Sequence, residues 1–342
     1  MIGQETLLKN FVGGKWEPAS ASSVTAVRNP ATGDVLAEAP LSSGADVAKA
    51  VDAASKAWQS WRRTPAGDRI QPLFRLKALL DANFSEIAKL VTQECGKTLA
   101  ESEGEVKRGI ENVEVATGIP SLMMGSNLED IASGIDELMI RQPVGVVAVI
   151  TPFNFPGMIP LWFLPYAIAC GNTVVLKPSE KTPLTMARVL QLVEEAGFPP
   201  GVANLVHGGK DAVDALLDHP EVRAISFVGS TPIARYVYSR AAANGKRVQC
   251  QGGAKNPIVV LPDADMEMTT KIVADSAFGC AGQRCMASSA IVCVGDETYK
   301  EVTDRFVRAS REVIVANPLD PKVADQPMVM GPVISAKAKE FI

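Results

Sequence analysis

The sequence predicts an α/β protein: an open parallel sheet flanked by crossover helices, followed by a second, smaller α/β unit. Short apolar, β-branched-rich runs at residues 145–150, 173–176, 203–206 and 224–228 alternate with helix-like segments at 183–196, 211–217 and 232–242, the pattern of repeated βαβ units. The strand runs are continuously apolar rather than alternating, so both faces of the sheet are covered. The 342 residues, 47% of them apolar, suffice for roughly two domains with sizeable cores. Open parallel sheets take ligands beyond the carboxyl ends of their strands, and a nucleotide-type cofactor is expected there.

Taken in order, residues 8 to 41 read as short strands and turns punctuated by Gly13-Gly14, Asn29-Pro30 and Thr32-Gly33, an N-terminal arm or hairpin. Apolar residues at helical spacing (Val47, Val51, Ala54, Trp58, Trp61) place a helix over 45–61, and the pattern continues at 69–82 and 85–94. A further helix, about 99–118, carries Arg108, which unaided reads as one more solvated charge. Residues 124–143 read as a β-hairpin. The first unit is set at 1–250. Strands at 258–261 and 289–294 and helices at 266–278 and 297–313 begin the second, 251–342, which reaches Ile342 inside what reads as another helix.

Composition narrows the function classes. The net charge is −4 and Lys and Arg are scattered, which argues against nucleic acid and against an anionic membrane surface as partner. Six cysteines without a CxxC pair and two histidines make a zinc or iron–sulfur site a poor expectation. The first ten residues lack a secretory pattern, and no apolar run has membrane-spanning length. A cytoplasmic setting follows as the expectation.

The chemistry concentrates in a few stretches. In Phe278-Gly279-Cys280-Ala281-Gly282-Gln283-Arg284-Cys285-Met286-Ala287, Cys285 follows a small-residue turn and stands beside Arg284, which favours a thiolate. A buried structural cysteine would have the same local signature. Asn154, in Thr151-Pro152-Phe153-Asn154-Phe155-Pro156 at a strand end, suits an oxyanion or a helix cap. Lys177 and Glu180, in the loop after the next strand, could hold ribose hydroxyls or belong to an ordinary exposed loop. Phe227-Val228-Gly229-Ser230-Thr231 turns a strand into a helix and aims amides at an anion, although the pattern is weak and GxGxxG is absent. His207 and His219 are read as surface or capping residues, so a Cys-His hydrolase is not expected.

Together with Gly253-Ala254-Lys255-Asn256-Pro257 and Gly282-Gln283-Arg284-Cys285, these motifs resemble the aldehyde dehydrogenase superfamily in order and spacing, over essentially all 342 residues. The resemblance implies an aldehyde-dehydrogenase-like fold: a variant Rossmann cofactor domain and an α/β catalytic domain of which only the first part is present. It further implies Cys285 as nucleophile, Asn154 and a backbone N–H at Cys285 as oxyanion donors, and an NAD site contacted by Phe153, Lys177, Glu180, Lys181, Ser230 and Gly252. Residues 124–143 become an oligomerisation hairpin, and a homotetramer or homodimer is expected of a full-length relative.

Gln251 departs from the superfamily pattern. Hydrolytic members place a glutamate here to activate the deacylating water, and an amide cannot accept that proton. Losing a general base costs about 10²- to 10⁴-fold, roughly 3 to 5 kcal/mol of barrier. A thiol such as coenzyme A needs less help. With Arg108-Gly109-Ile110-Glu111-Asn112 and Arg284-Cys285-Met286-Ala287, the chain resembles the coenzyme A-acylating methylmalonate-semialdehyde dehydrogenase branch. That resemblance implies Arg108 and Arg284 on the substrate carboxylate, methylmalonate or malonate semialdehyde as substrate, and propionyl- or acetyl-coenzyme A as product. The alternatives are a hydrolytic NAD(P)-dependent aldehyde dehydrogenase and an inactive, aggregation-prone remnant of the family with exposed apolar surface.

Overall fold

The computed structural model describes residues 7–20, 23–323, 326 and 328–342. Two hairpins come first: β1 (Asn10–Val12) with β2 (Lys15–Glu17), turning through Gly13 and Gly14 at φ 58° and 81°, and β3 (Val24–Arg28) with β4 (Val35–Pro40). Six helices follow: α1 (Gly44–Trp61), α2 (Ala66–Arg69), α3 (Gln71–Ala82), α4 (Phe84–Cys95), α5 (Leu99–Ala116) and α6 (Ile119–Leu122). Local chemistry sets several boundaries. Ser43 and Thr98 open α1 and α5 with reciprocal capping boxes to Asp46 and Glu101, and Gly96 closes α4 in the left-handed region at φ 84°.

After a hairpin of β5 (Ser126–Ala132) and β6 (Ile135–Met139), the main sheet is built from β7 (Val146–Ile150), β8 (Thr173–Lys177), β9 (Ala203–Leu205), β10 (Val222–Val228) and β11 (Arg247–Gln251) in parallel, with the short helices α7 (Met158–Leu161) and α8 (Leu164–Ala169) between β7 and β8 and with β1 and β2 added antiparallel beyond β9. The order is β11-β10-β7-β8-β9-β1-β2. Strand order therefore reverses between β7 and β10, the switch point where such sheets open a ligand crevice. Registers Ile150↔Lys177, Ile150↔Phe227 and Phe227↔Cys250 bring the strand ends level. The expected N-terminal arm thus contributes two strands to the sheet.

Every residue of β7 and β8 is buried. Val147, Val149, Val174 and Leu176 pack on the side of α3, α5 and α9 (Leu184–Glu195). Val146, Ala148, Ile150 and Val175 pack against α1, α10 (Lys210–Asp218) and α11 (Thr231–Ala243). This double cover explains the continuous apolar runs. Two short helices, Met158–Leu161 and Leu164–Ala169, fill the crossover after β7.

The 124–143 expectation corresponds to an antiparallel pair, Ser126–Ala132 with Ile135–Met139, in which every residue is exposed. The second unit pairs Asn256–Val260 with Ser288–Cys293 in parallel and packs helix Met266–Phe278 against helix Asp296–Glu312. Val259, Met268, Ile272 and Val292 are 61%, 62%, 53% and 49% exposed, the apolar surface anticipated for this unit.

One reading is corrected. His207 is 1% exposed, not a surface residue, and its N–H donates to the Asn10 side chain at 2.9 Å. Burial first, then the nearby Lys177 charge, push its pKa down to about 4. The double glycine after it suggested a loop, and it is one, but Asn10 of β1 and the buried Lys177 ammonium bind that loop's backbone at His207 and Gly208. His219 does cap: it ends α10 and accepts from the Glu221 N–H at 3.2 Å.

Candidate active site

The nucleophile candidate lies just past a turn that no helix or strand would tolerate. Cys280, Ala281 and Gly282 adopt φ of 52°, 53° and 71° in succession. Left-handed backbone costs a non-glycine residue about 1 to 2 kcal/mol, so the surroundings must hold this turn. They do so from two sides. Glu101 on α5 accepts from the Cys280 N–H at 2.7 Å, and the Asn154 amide donates to the Gln283 carbonyl at 2.8 Å. On the far side of Cys285, the Asn256 amide donates to the carbonyls of Cys285 and Ala287 at 2.7 and 3.1 Å.

Asn154 itself follows β7 at the switch point, with Lys97 donating to its backbone carbonyl at 2.7 Å. A primary amide carries two N–H donors. One Asn154 hydrogen fixes the side chain against Gln283, leaving the other for a ligand atom beside the cysteine turn.

Cys285 is half-buried at the meeting point of two cavities. The larger, about 570 Å³, lies at the carboxyl ends of β7, β8 and β10 and is lined by Phe153, Asn154, Glu180, Lys181, Ser230 and Cys285 among others. The smaller, about 220 Å³, lies against α5 and is lined by Arg108, Arg284 and Cys285 together with Phe155, Met158 and Trp162. Glu101 and Glu105 also face it. Their oxygens are engaged by Thr98, Cys280, Lys97, Gly157 and Met158. Arg108 and Arg284 make no ion pair among the described residues, although the Glu101 carboxylate lies beside the Arg284 guanidinium over Gly279, so the cavity presents two guanidinium groups with one carboxylate close by. Arg284 is seated on Gly279, where any Cβ would overlap the guanidinium.

The remaining expected residues divide. Gly252 joins Phe153, Glu180, Lys181 and Ser230 on the wall of the larger cleft. Lys177 stands behind that wall, fully buried, with its ammonium donating to the Gly208 carbonyl at 2.7 Å and 3.6 Å from Glu180. Burial pushes its pKa below that of an exposed lysine. Gln251 ends β11 with its backbone carbonyl accepting from Gly229 at 3.0 Å, and its exposed side chain lines neither cavity.

The aldehyde dehydrogenase family pattern matches residues 16–342. Malonate-semialdehyde dehydrogenase 1 of Geobacillus kaustophilus is 52% identical over 327 residues, covering 95% of this chain and 66% of the relative. The chain belongs to the aldehyde dehydrogenase family. Malonate-semialdehyde dehydrogenase of Bacillus pumilus is 50% identical over 98% of this chain and 68% of its own length. Among solved structures, a Sinorhizobium meliloti protein assigned as a methylmalonate-semialdehyde dehydrogenase and solved with NAD superimposes with a TM-score of 0.94 at 43% identity, over 99% of this chain and 68% of that one. The methylmalonate-semialdehyde dehydrogenase of Oceanimonas doudoroffii gives 0.93 at 44% identity, over 98% and 67%. The chain thus spans about two thirds of the length of these relatives. No helix among the described residues is long and apolar enough to cross a membrane.

Several residues that build this aldehyde dehydrogenase site escape a linear reading. Lys97 and Glu105 form a 2.6 Å ion pair with side chains 1% and 0% exposed, and breaking one side of such a pair costs about 3 to 5 kcal/mol. Burial is the largest influence on Lys97 and opposes its charge, but the Glu105 charge and hydrogen bond together with neighbouring groups hold the pKa above that of an exposed lysine. Glu94, also fully buried, accepts from the Leu184 and Thr185 N–H groups at 2.7 and 2.9 Å, and burial raises its pKa to about 7. The available signals were faint: a Thr98-Glu101 capping box, with Lys97 just before it and charges at 101, 105 and 108 whose spacing puts them on one helical face.

Proposed function

We propose that the protein is an NAD-dependent, coenzyme A-acylating dehydrogenase of malonate or methylmalonate semialdehyde, working through a thioester on Cys285. The observation that carries this reading is the convergence of Arg108, Arg284 and Cys285 on one small cavity whose acidic residues are engaged elsewhere. A charge-assisted hydrogen bond to a carboxylate is worth about 1.5 to 3 kcal/mol, and two arginines set the anionic end of a short substrate away from the thiol. The names of the relatives agree in substrate class.

The larger cleft suits the dinucleotide. Ser230 precedes α11 without capping it through its side chain, which leaves its hydroxyl and the amides of Thr231 and Ile233, on either side of Pro232, for a pyrophosphate. Glu180 on the same wall suits an unphosphorylated ribose, since a carboxylate accepts from hydroxyls and repels a 2′-phosphate. Bound there, NAD supplies the two-electron acceptor for the oxidation.

The steps at the protein are these. The Cys285 thiolate adds to the aldehyde carbon, and the developing oxyanion takes the free Asn154 N–H. Loss of a hydride from that carbon leaves an acyl thioester on sulfur. The β-carboxylate then leaves as carbon dioxide, its electron pair delocalised into the thioester carbonyl, and protonation completes an acetyl or propionyl thioester. Gln251 offers no base for water, so the coenzyme A thiolate attacks the carbonyl and releases Cys285. The test follows NADH from malonate semialdehyde with and without coenzyme A. Turnover that continues only with coenzyme A is the expected result, and equal steady-state rates would refute the acylating assignment.

A further inference from the structure

The buried Lys97–Glu105 pair has no role in the scheme above, although Glu105 borders the smaller cavity, yet it holds the turn that carries Asn154. The Lys97 ammonium lies 2.6 Å from Glu105, 2.7 Å from the Asn154 carbonyl oxygen and 3.9 Å from the centre of the Phe155 ring. The other Glu105 oxygen accepts from the N–H groups of Gly157 and Met158 at 2.7 and 3.1 Å. One turn earlier on α5, Glu101 holds Cys280 N–H at 2.7 Å. Residues 154–158 and the left-handed turn before Cys285 are therefore pinned to the same helix by neighbouring turns of it.

We propose that Lys97 and Glu105 are positioning residues that, together with Glu101, fix the Asn154 amide relative to the Cys285 turn by anchoring both to one face of α5. Pinning matters because the two segments are far apart in sequence and, among the described residues, are otherwise joined by the one Asn154–Gln283 hydrogen bond. An ammonium with two oxygen acceptors and a ring face has no freedom to drift, and a carboxylate spanning the ammonium and two amides fixes the turn's angle. Arg108, seven residues beyond Glu101, projects from the same helix into the substrate cavity. Carboxylate binding and oxyanion binding thus share one rigid support.

This inference rests on Asn154 acting as the oxyanion donor. Its test is the rate of the first NADH burst, which reports thioester formation, in Lys97→Met, Asn154→Ala and the double variant. Lys97→Met is expected to slow the burst about 10²-fold, the scale of a misplaced reacting group, and iodoacetamide alkylation of Cys285 should remain near the wild-type rate. On the Asn154→Ala background the same change should add little, because its effect passes through the missing amide. Additive losses, or alkylation slowed as much as the burst, would overturn the proposal. Lys97→Arg should recover part of the burst. If Lys97→Met does not fold, Glu105→Gln takes its place in the cycle, with the same outcomes read the same way. A wild type without a burst would refute the dehydrogenase reading instead. Crystal structures then decide the positioning claim: a lost Asn154–Gln283 contact in the variant supports it, and an unmoved amide overturns it.

Discussion

Replacing Asn154 by Ala is expected to slow thioester formation on Cys285 by about 10²- to 10³-fold, the range for removing one preorganised oxyanion donor. Asn154 donates to the Gln283 carbonyl, and in the proposed mechanism its second N–H meets the substrate oxygen. The change also removes a contact that steadies the cysteine turn, so nucleophile reactivity must be measured beside the burst. Iodoacetamide, which develops no oxyanion, should alkylate Cys285 at nearly the wild-type rate. A burst within a few fold of wild type would show that Asn154 only braces the cysteine turn through Gln283.

Removing the two arginines should change selectivity more than catalysis. Arg108→Ala and Arg284→Ala are each expected to lower kcat/KM for malonate semialdehyde by about 10- to 150-fold, as for 1.5 to 3 kcal/mol of charge-assisted bonding. Propanal, which lacks the carboxylate, should be far less affected. Both side chains line the same 220 Å³ cavity with no ion pair among the described residues. Their losses should therefore be non-additive, because one carboxylate satisfies both. Equal losses for propanal would remove the carboxylate role and leave two structural arginines.

The sheet was legible because its residues obey one simple constraint. Val146 to Ile150 and Thr173 to Lys177 are buried on both faces, so their apolar runs are unbroken and their helical partners alternate with them. Asn154 and Cys285 were legible by resemblance, since no local property of an Asn-Phe-Pro turn announces a cysteine at the other end of the chain. Lys97, Glu101 and Glu105 were illegible for a physical reason. A buried carboxylate and a solvated one look alike in sequence, and only the path of the 154–158 turn over α5 reveals which amides need an acceptor. Asn256 belongs to the Gly253-Ala254-Lys255-Asn256-Pro257 motif, yet its bonds to the Cys285 and Ala287 carbonyls depend on strand pairing with residues 288–293. His207 was misplaced because a Gly208-Gly209 sequence signals a turn without saying what packs over it.

The most direct measurement is the covalent state of Cys285 itself. The protein is mixed with NAD and malonate semialdehyde, quenched in acid before and after a coenzyme A chase, and its peptides are mapped by mass spectrometry. An acetyl thioester on the peptide bearing Cys285 that persists in buffer and disappears on the chase, with acetyl-coenzyme A recovered, is the predicted result. An adduct on another cysteine, no adduct at all, or one that water removes as fast as coenzyme A does would contradict it.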